Sequence, residues 1–123
     1  MIVGTEWLIE ATGCDTVALR DENAIRNILS NVMTDLGLRS IGSVWHKFDD
    51  EGGVTGLIAL TESHLACHTY PEYQTATFNL YCCRTRPEWD WEGKLKSALS
   101  ATTVTVTKMD RGNPMSNAAG GEA

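Results

Sequence analysis

Thr75-Ala-Thr-Phe-Asn-Leu-Tyr-Cys82 alternates Ala76, Phe78, Leu80 and Cys82 with Thr77, Asn79 and Tyr81. Successive side chains on a strand point to opposite faces, so the segment predicts a strand with one dry face and one wet face. Such strands belong to antiparallel sheets covered on one side. Upstream, Thr5 to Ala11 sets Trp7, Ile9 and Ala11 against Glu6 and Glu10, interrupted only by Leu8, and Gly13-Cys-Asp15 reads as a turn. Ser40 to Phe48 reads as a strand with Val44, His46 and Phe48 on one face. A polar turn, Asp49 to Gly53, leads to a nearly all-apolar strand over Val54 to Leu60. Thr102 to Thr107 reads as the last strand.

Two segments change period. Ile25, Ile28, Leu29, Val32, Met33 and Leu36 recur at three- and four-residue spacing, which predicts an amphipathic helix with Asp21 as N-cap and Gly37 as its stop. A shorter helix after Pro87, over about Trp89 to Leu99, turns Trp91, Leu95, Ala98 and Leu99 inward. The order strand, helix, three strands, helix, strand predicts an α+β fold: a two-layer α/β sandwich, mainly antiparallel sheet with two helices on one face. The other sheet face stays bare, and a second copy of the chain is its natural cover. The expected single domain is 1–110, and residues 111–123, ending Ala-Ala-Gly-Gly-Glu-Ala, are expected to be mobile.

Composition narrows the function classes. The chain has 123 residues, 42% hydrophobic and 21% charged, enough for one core. Its net charge of −6 repels phosphate backbones, which argues against nucleic acid and weakly favours cationic small molecules. No apolar run approaches the roughly 20 residues that span a bilayer, and Met1 to Glu6 lacks the features of a secretory leader. A cytoplasmic protein without membrane contact is expected, its four cysteines reduced.

The chemistry concentrates in Leu60-Thr-Glu-Ser-His-Leu-Ala-Cys-His-Thr-Tyr-Pro-Glu-Tyr73. Within it lie Glu62, Ser63, His64, Cys67, His68, Tyr70 and Glu72, at the end of an apolar strand. A zinc site from His64, Cys67, His68 and another cysteine is one reading, weakened by the absence of Cys-x-x-Cys or His-Glu-x-x-His spacing. A hydrolase with Ser63 or Cys83 as nucleophile is another, although Ser63 lacks a Gly-x-Ser-x-Gly turn. Ordinary strand-end residues with satisfied hydrogen bonds are the third.

The stretch Thr61 to Tyr73 closely resembles the processing motif of the short prokaryotic S-adenosylmethionine decarboxylases, in which an E-S-H-x-x-x-H-T-W/Y-P-E-Y pattern follows a buried strand. Gly53-Val-Thr-Gly56 resembles that family's upstream GV-S/T-G element, Cys83 falls at its thiol position, and Gly13-Cys-Asp15 and the length also fit. The resemblance covers most of residues 1 to 108. It implies a chain that cuts itself between Glu62 and Ser63, giving a β chain 1–62 and an α chain 63–123. Ser63 Oγ attacks the Glu62 carbonyl, the ester loses the Glu62 carboxylate, and a pyruvoyl group remains at position 63. That group would be the only cofactor, with no pyridoxal phosphate and no metal. It would form a Schiff base with the substrate amine and accept the electrons of decarboxylation.

By the same resemblance His68 is the base for the Ser63 α-proton, Thr55 assists the acyl shift, and Cys83 returns a proton to the substrate after decarboxylation. An imidazole with pKa near ~6.5 and a thiol near ~8.5 suit those tasks at neutral pH. Strand alternation lets only one of Cys82 and Cys83 reach the site, and the resemblance selects Cys83. Phe48 and His68 match an adenine-stacking pair, Glu72 a pocket carboxylate, and Tyr70 the place of a tryptophan in many relatives. Asn79 stands where many have aspartate, and Trp7 where a histidine is usual, changes expected to reshape the pocket. The implied activity is formation of decarboxylated S-adenosylmethionine for spermidine synthesis by a homodimer of cleaved units. Arginine or ornithine is the alternative substrate, and a non-catalytic metal-binding module the remote one.

Overall fold

The computed structural model describes residues 1–113. Six strands, β1 (Ile2–Thr12), β2 (Ser40–Lys47), β3 (Val54–Leu60), β4 (Ser63–Tyr70), β5 (Thr75–Cys82) and β6 (Thr103–Gly112), form one sheet. Their order is β2-β3-β4-β5-β1-β6, and every pairing is antiparallel. Three helices, α1 (Thr16–Arg20), α2 (Glu22–Leu36) and α3 (Trp91–Leu99), join a 3-10 turn at Pro71–Tyr73. The α+β two-layer class is as expected. The sheet has six strands rather than five and three helices rather than two, because β4 and the five-residue α1 escape the periodicity reading.

Capping chemistry sets the helix ends. The Asp21 carboxylate accepts from the backbone N–H groups of Asn23 and Ala24, and Gly37 closes α2 in the left-handed region at φ 66°. α3 starts at Trp91 rather than Trp89, because Asp90 caps it by accepting from Gly93. α2 buries Ile25, Ile28, Leu29, Val32 and Leu36, and α3 buries Trp91, Leu95 and Leu99. They meet the sheet face that carries Trp7, Ile9, Ile58, Leu65, Phe78 and Leu80. Among the described residues Thr69 is the one buried polar residue: its hydroxyl donates to the Leu19 carbonyl at 2.7 Å and accepts from the Val54 N–H at 2.8 Å.

The opposite face is bare. Val44, Phe48 and Leu57 are 66%, 52% and 47% exposed there, an apolar strip that one chain leaves in water. The expectation of a mobile stretch from residue 111 is corrected in part. Arg111 and Gly112 pair with the start of β1, and Arg111 ion-pairs Glu6 at 2.6 Å. The remainder of that expectation, residues 114–123, lies outside the described residues. Among the described residues no helix is long and apolar enough to cross a membrane.

Candidate active site

β3 and β4 form a tight hairpin whose two-residue turn is Thr61-Glu62, so Ser63 opens β4 directly after the turn. Ser63 registers against Cys82 on β5, and Cys83 follows as the first residue beyond that strand. This register brings the Cys83 thiol to the backbone carbonyl of Glu62, 2.5 Å from Sγ to O, although the residues are 21 apart in sequence. The Glu62 side chain is held by Arg84, with Nε 2.5 Å from Oε1. That guanidinium keeps the Glu62 carboxyl below the usual range.

Alternation separates the two vicinal cysteines as expected. Cys82 is buried in the core, whereas Cys83 is exposed. Burial pushes Cys14 and Cys82 up, and pushes Cys67 to about 12. Cys83 is therefore the one solvent-facing thiol of the four.

A second group forms on the bare face. β3 and β4 pair Thr55 with His68, and Thr55 Oγ1 lies 3.1 Å from His68 Nδ1. Phe48, Thr55, His68, Tyr70 and Glu72 line one concavity together with Gly53. All three predicted substrate-binding residues thus converge beside the predicted base. The glycines of Gly53-Val-Thr-Gly56 have steric causes: a Cβ at 53 would strike the Thr69 carbonyl, and one at 56 the Trp45 ring. Both neighbours fix the backbone that carries Thr55.

One chain does not unite the two groups. Ser63 and His68 are five residues apart on β4, so they take opposite faces, roughly 17 Å apart along the strand. The same alternation undoes the zinc reading, since Cys67 points into the core while His64 and His68 face out. Among the described residues no three His, Cys, Asp or Glu groups gather to hold a metal.

Some participants carry no local sequence signal. His64 Nε2 lies 2.9 Å from Asn79 Oδ1, Asn79 Nδ2 donates to Glu6 at 2.7 Å, and Glu6 pairs with Arg111. This polar chain runs across the bare face beside an adjoining concavity lined by Leu8, Leu57, Ala66 and Thr77. Asn79 therefore does shape a surface that faces the site. Trp7 does not: it is 3% exposed on the helix-covered side, with the Lys108 ammonium 5.8 Å from its ring centroid. The Arg84-x-Arg86 pair after Cys83 is visible in the sequence, but only the hairpin register brings it to Glu62.

Comparisons with known proteins identify the family. The family model described as S-adenosylmethionine decarboxylase matches residues 5–112. The S-adenosylmethionine decarboxylase proenzyme of Pelotomaculum thermopropionicum is 34% identical over 111 residues, covering 89% of this chain and 87% of that one. The proenzyme of the same name from Clostridium tetani is 32% identical, with 89% and 87% covered. That of Archaeoglobus fulgidus is 34% identical, with 68% and 73% covered. The crystal structure of the adenosylmethionine decarboxylase from Aquifex aeolicus shares the fold, with a TM-score of 0.77 at 24% identity over 91% of this chain and 92% of that one. The chain belongs to the S-adenosylmethionine decarboxylase family. Nothing in these comparisons supports arginine or ornithine as an alternative substrate.

Proposed function

We propose that this chain is the proenzyme of a pyruvoyl-dependent S-adenosylmethionine decarboxylase, cut by its own chemistry between Glu62 and Ser63, with a site completed by a second copy. The observation that carries this reading is the Cys83 thiol on the Glu62 carbonyl, next to the Ser63 hydroxyl. Attack by Ser63 Oγ turns that carbonyl oxygen into an oxyanion, and a donor already aimed at it lowers the barrier. The residues present therefore fit a pyruvoyl group made from Ser63. Once formed, that group supplies a carbonyl electron sink for loss of carbon dioxide.

The proton transfers fall to His68 and Cys83. When Nδ1–H donates to Thr55 Oγ1, His68 Nε2 keeps its lone pair, the form in which it takes the Ser63 α-proton. Cys83, exposed beside position 63, returns a proton to the substrate carbon. Phe48 and Tyr70 offer aromatic faces to the adenine, and Glu72 a carboxylate to the ribose hydroxyls or the sulfonium.

The opposite facing of Ser63 and His68 favours a homodimer as the working unit. A two-fold axis that packs the bare faces together, with β4 antiparallel to its copy, brings His68 of one chain level with the hairpin end of the other's β4, where position 63 turns from the core side to meet it. It also covers Val44, Phe48 and Leu57. The product pathway is spermidine synthesis, and the compartment is the cytoplasm.

Intact mass tests the processing. Wild type should give chains 1–62 and 63–123, the latter without a free amino terminus. Ser63→Ala should stay whole and release no carbon dioxide from S-adenosylmethionine. Full activity in an unbroken chain would overturn the reading.

A further inference from the structure

Three arginines gather at the break point. Arg39, Arg84 and Arg86 line the same small polar pocket as Glu62, Ser63 and Cys83. Arg84 forks onto the Glu62 side chain, with distances of 2.5 Å and 3.4 Å to its two oxygens. Arg86 donates through an NH1 hydrogen to the Leu36 carbonyl at the end of α2, 3.2 Å away. Its Nε is buried and has no hydrogen-bond partner among the described residues. A buried donor on a cation is costly to leave unmatched, so an anion arriving there is strongly favoured. Arg84 foremost, with Arg86 at longer range, already draws the Glu62 carboxyl below its ordinary range.

The uncut chain offers these arginines the Glu62 side chain, whereas cutting creates a new anion on the same residue. We infer that Arg84 and Arg86 form a built-in receiver for the Glu62 α-carboxylate, steadying it as it leaves the ester and then anchoring the end of chain 1–62. The inference rests on the proposed self-cleavage. In the leaving step a base takes the Ser63 α-proton, and the Cα–H electron pair becomes a Cα=Cβ double bond. The Cβ–O bond breaks with its pair on the departing oxygen. Dehydroalanine remains at position 63, and all of the new negative charge sits on the Glu62 carboxylate. A guanidinium placed there, besides holding the Glu62 side chain, stabilises the α-carboxylate charge that develops only in this step.

The test follows cleavage of freshly folded proenzyme by denaturing electrophoresis and mass, with and without hydroxylamine, which splits an ester and leaves an amide intact. Arg84→Gln and Arg86→Gln should each slow chain separation roughly tenfold, the effect of one lost charge-assisted hydrogen bond. The stalled fraction should be released by hydroxylamine as a 1–62 hydroxamate, and Arg84→Lys should recover part of the rate. Arg86 also caps α2, so its variant can fail to fold. Among the described residues the Arg84 guanidinium hydrogen-bonds Glu62 alone, so its variants give the reading by themselves. Wild-type rates in the glutamine variants, or slow cleavage with nothing for hydroxylamine to release, would overturn the receiver while leaving self-cleavage intact. A wild-type chain that never cuts would instead overturn the processing reading, and this inference with it.

Discussion

The Cys83 thiol donates to the backbone carbonyl of Glu62, the carbonyl that the proposed self-cleavage attacks. A residue the family resemblance assigns to late proton return is thus seated where, under the proposed self-cleavage, it would also serve the first step. Cys83→Ala should therefore slow processing by roughly ten- to hundredfold, somewhat less than a fixed backbone donor because a thiol donates weakly. The fraction that does mature should turn over poorly. A time course of cleavage followed by carbon dioxide release from the matured chains separates the two effects, and wild-type cleavage would place Cys83 outside the acyl shift.

Opposite facing of Ser63 and His68 on β4 makes a sharp prediction for mixed proteins. His68→Ala alone should stay uncut, and so should Ser63→Ala. Refolded together, the His68→Ala chain should be cut, because its Ser63 then meets an intact His68 from the other copy. A 1–62 fragment of wild-type mass together with a 63–123 fragment lightened by the His68→Ala change is the expected result. No cleavage in any mixture would return the base to the same chain or to another residue.

Thr69 joins three elements through one hydroxyl. Thr69→Val keeps the shape and strands both the Val54 N–H and the Leu19 carbonyl in the core, at a cost of about 2–4 kcal/mol. Urea unfolding in a Ser63→Ala background, which keeps the chain whole, measures it. A change below about 1 kcal/mol would mean that water reaches the two groups.

Glu6 supplies a pH signature. The hydrogen bond from Asn79 foremost, opposed by burial and aided by Arg111, holds its carboxyl below the ordinary range. A depressed acid stabilises the fold above its unfolded value, about 4.3, and that share is lost as pH falls through the folded value. Stability should therefore drop on acidification below about pH 5, and Asn79→Ala should flatten that limb. Equal slopes in wild type and variant would show that Asn79 does not set the Glu6 titration.

The parts of the fold legible in the sequence are those with a clean period. β5 and α2 stand where alternation and the three-and-four spacing place them, and β3 where its apolar run does. β4 alternates too, Leu65 and Cys67 against His64 and His68, but its wet face carries so much reactive chemistry that it reads as a site rather than a strand. α1 has five residues, too few to show a helical period. β6 runs on to Gly112 because β1 starts at Ile2 and offers it backbone partners, a long-range cause invisible locally.

The site divides the same way. The convergence of Phe48, Tyr70 and Glu72 near His68 follows from short-range order, and the odd spacing of Ser63 and His68 already implies their separation. The meeting of Cys83 and Arg84 with Glu62 depends on how β5 registers along β4 over its full length, which no local pattern records.

The turn proposed to be cut lies between β3 and β4, yet breaking it would free neither piece. Strand β1 of the leading piece is inserted between β5 and β6 of the trailing one, while β3 stays zipped to β4. The halves are interlocked like fingers of two hands, and parting them means dismantling the sheet. Before the proposed cut, folding is a single-chain event. After it, recovery from denaturant would require two strangers to find each other, so maturation would trade reversible folding for permanence.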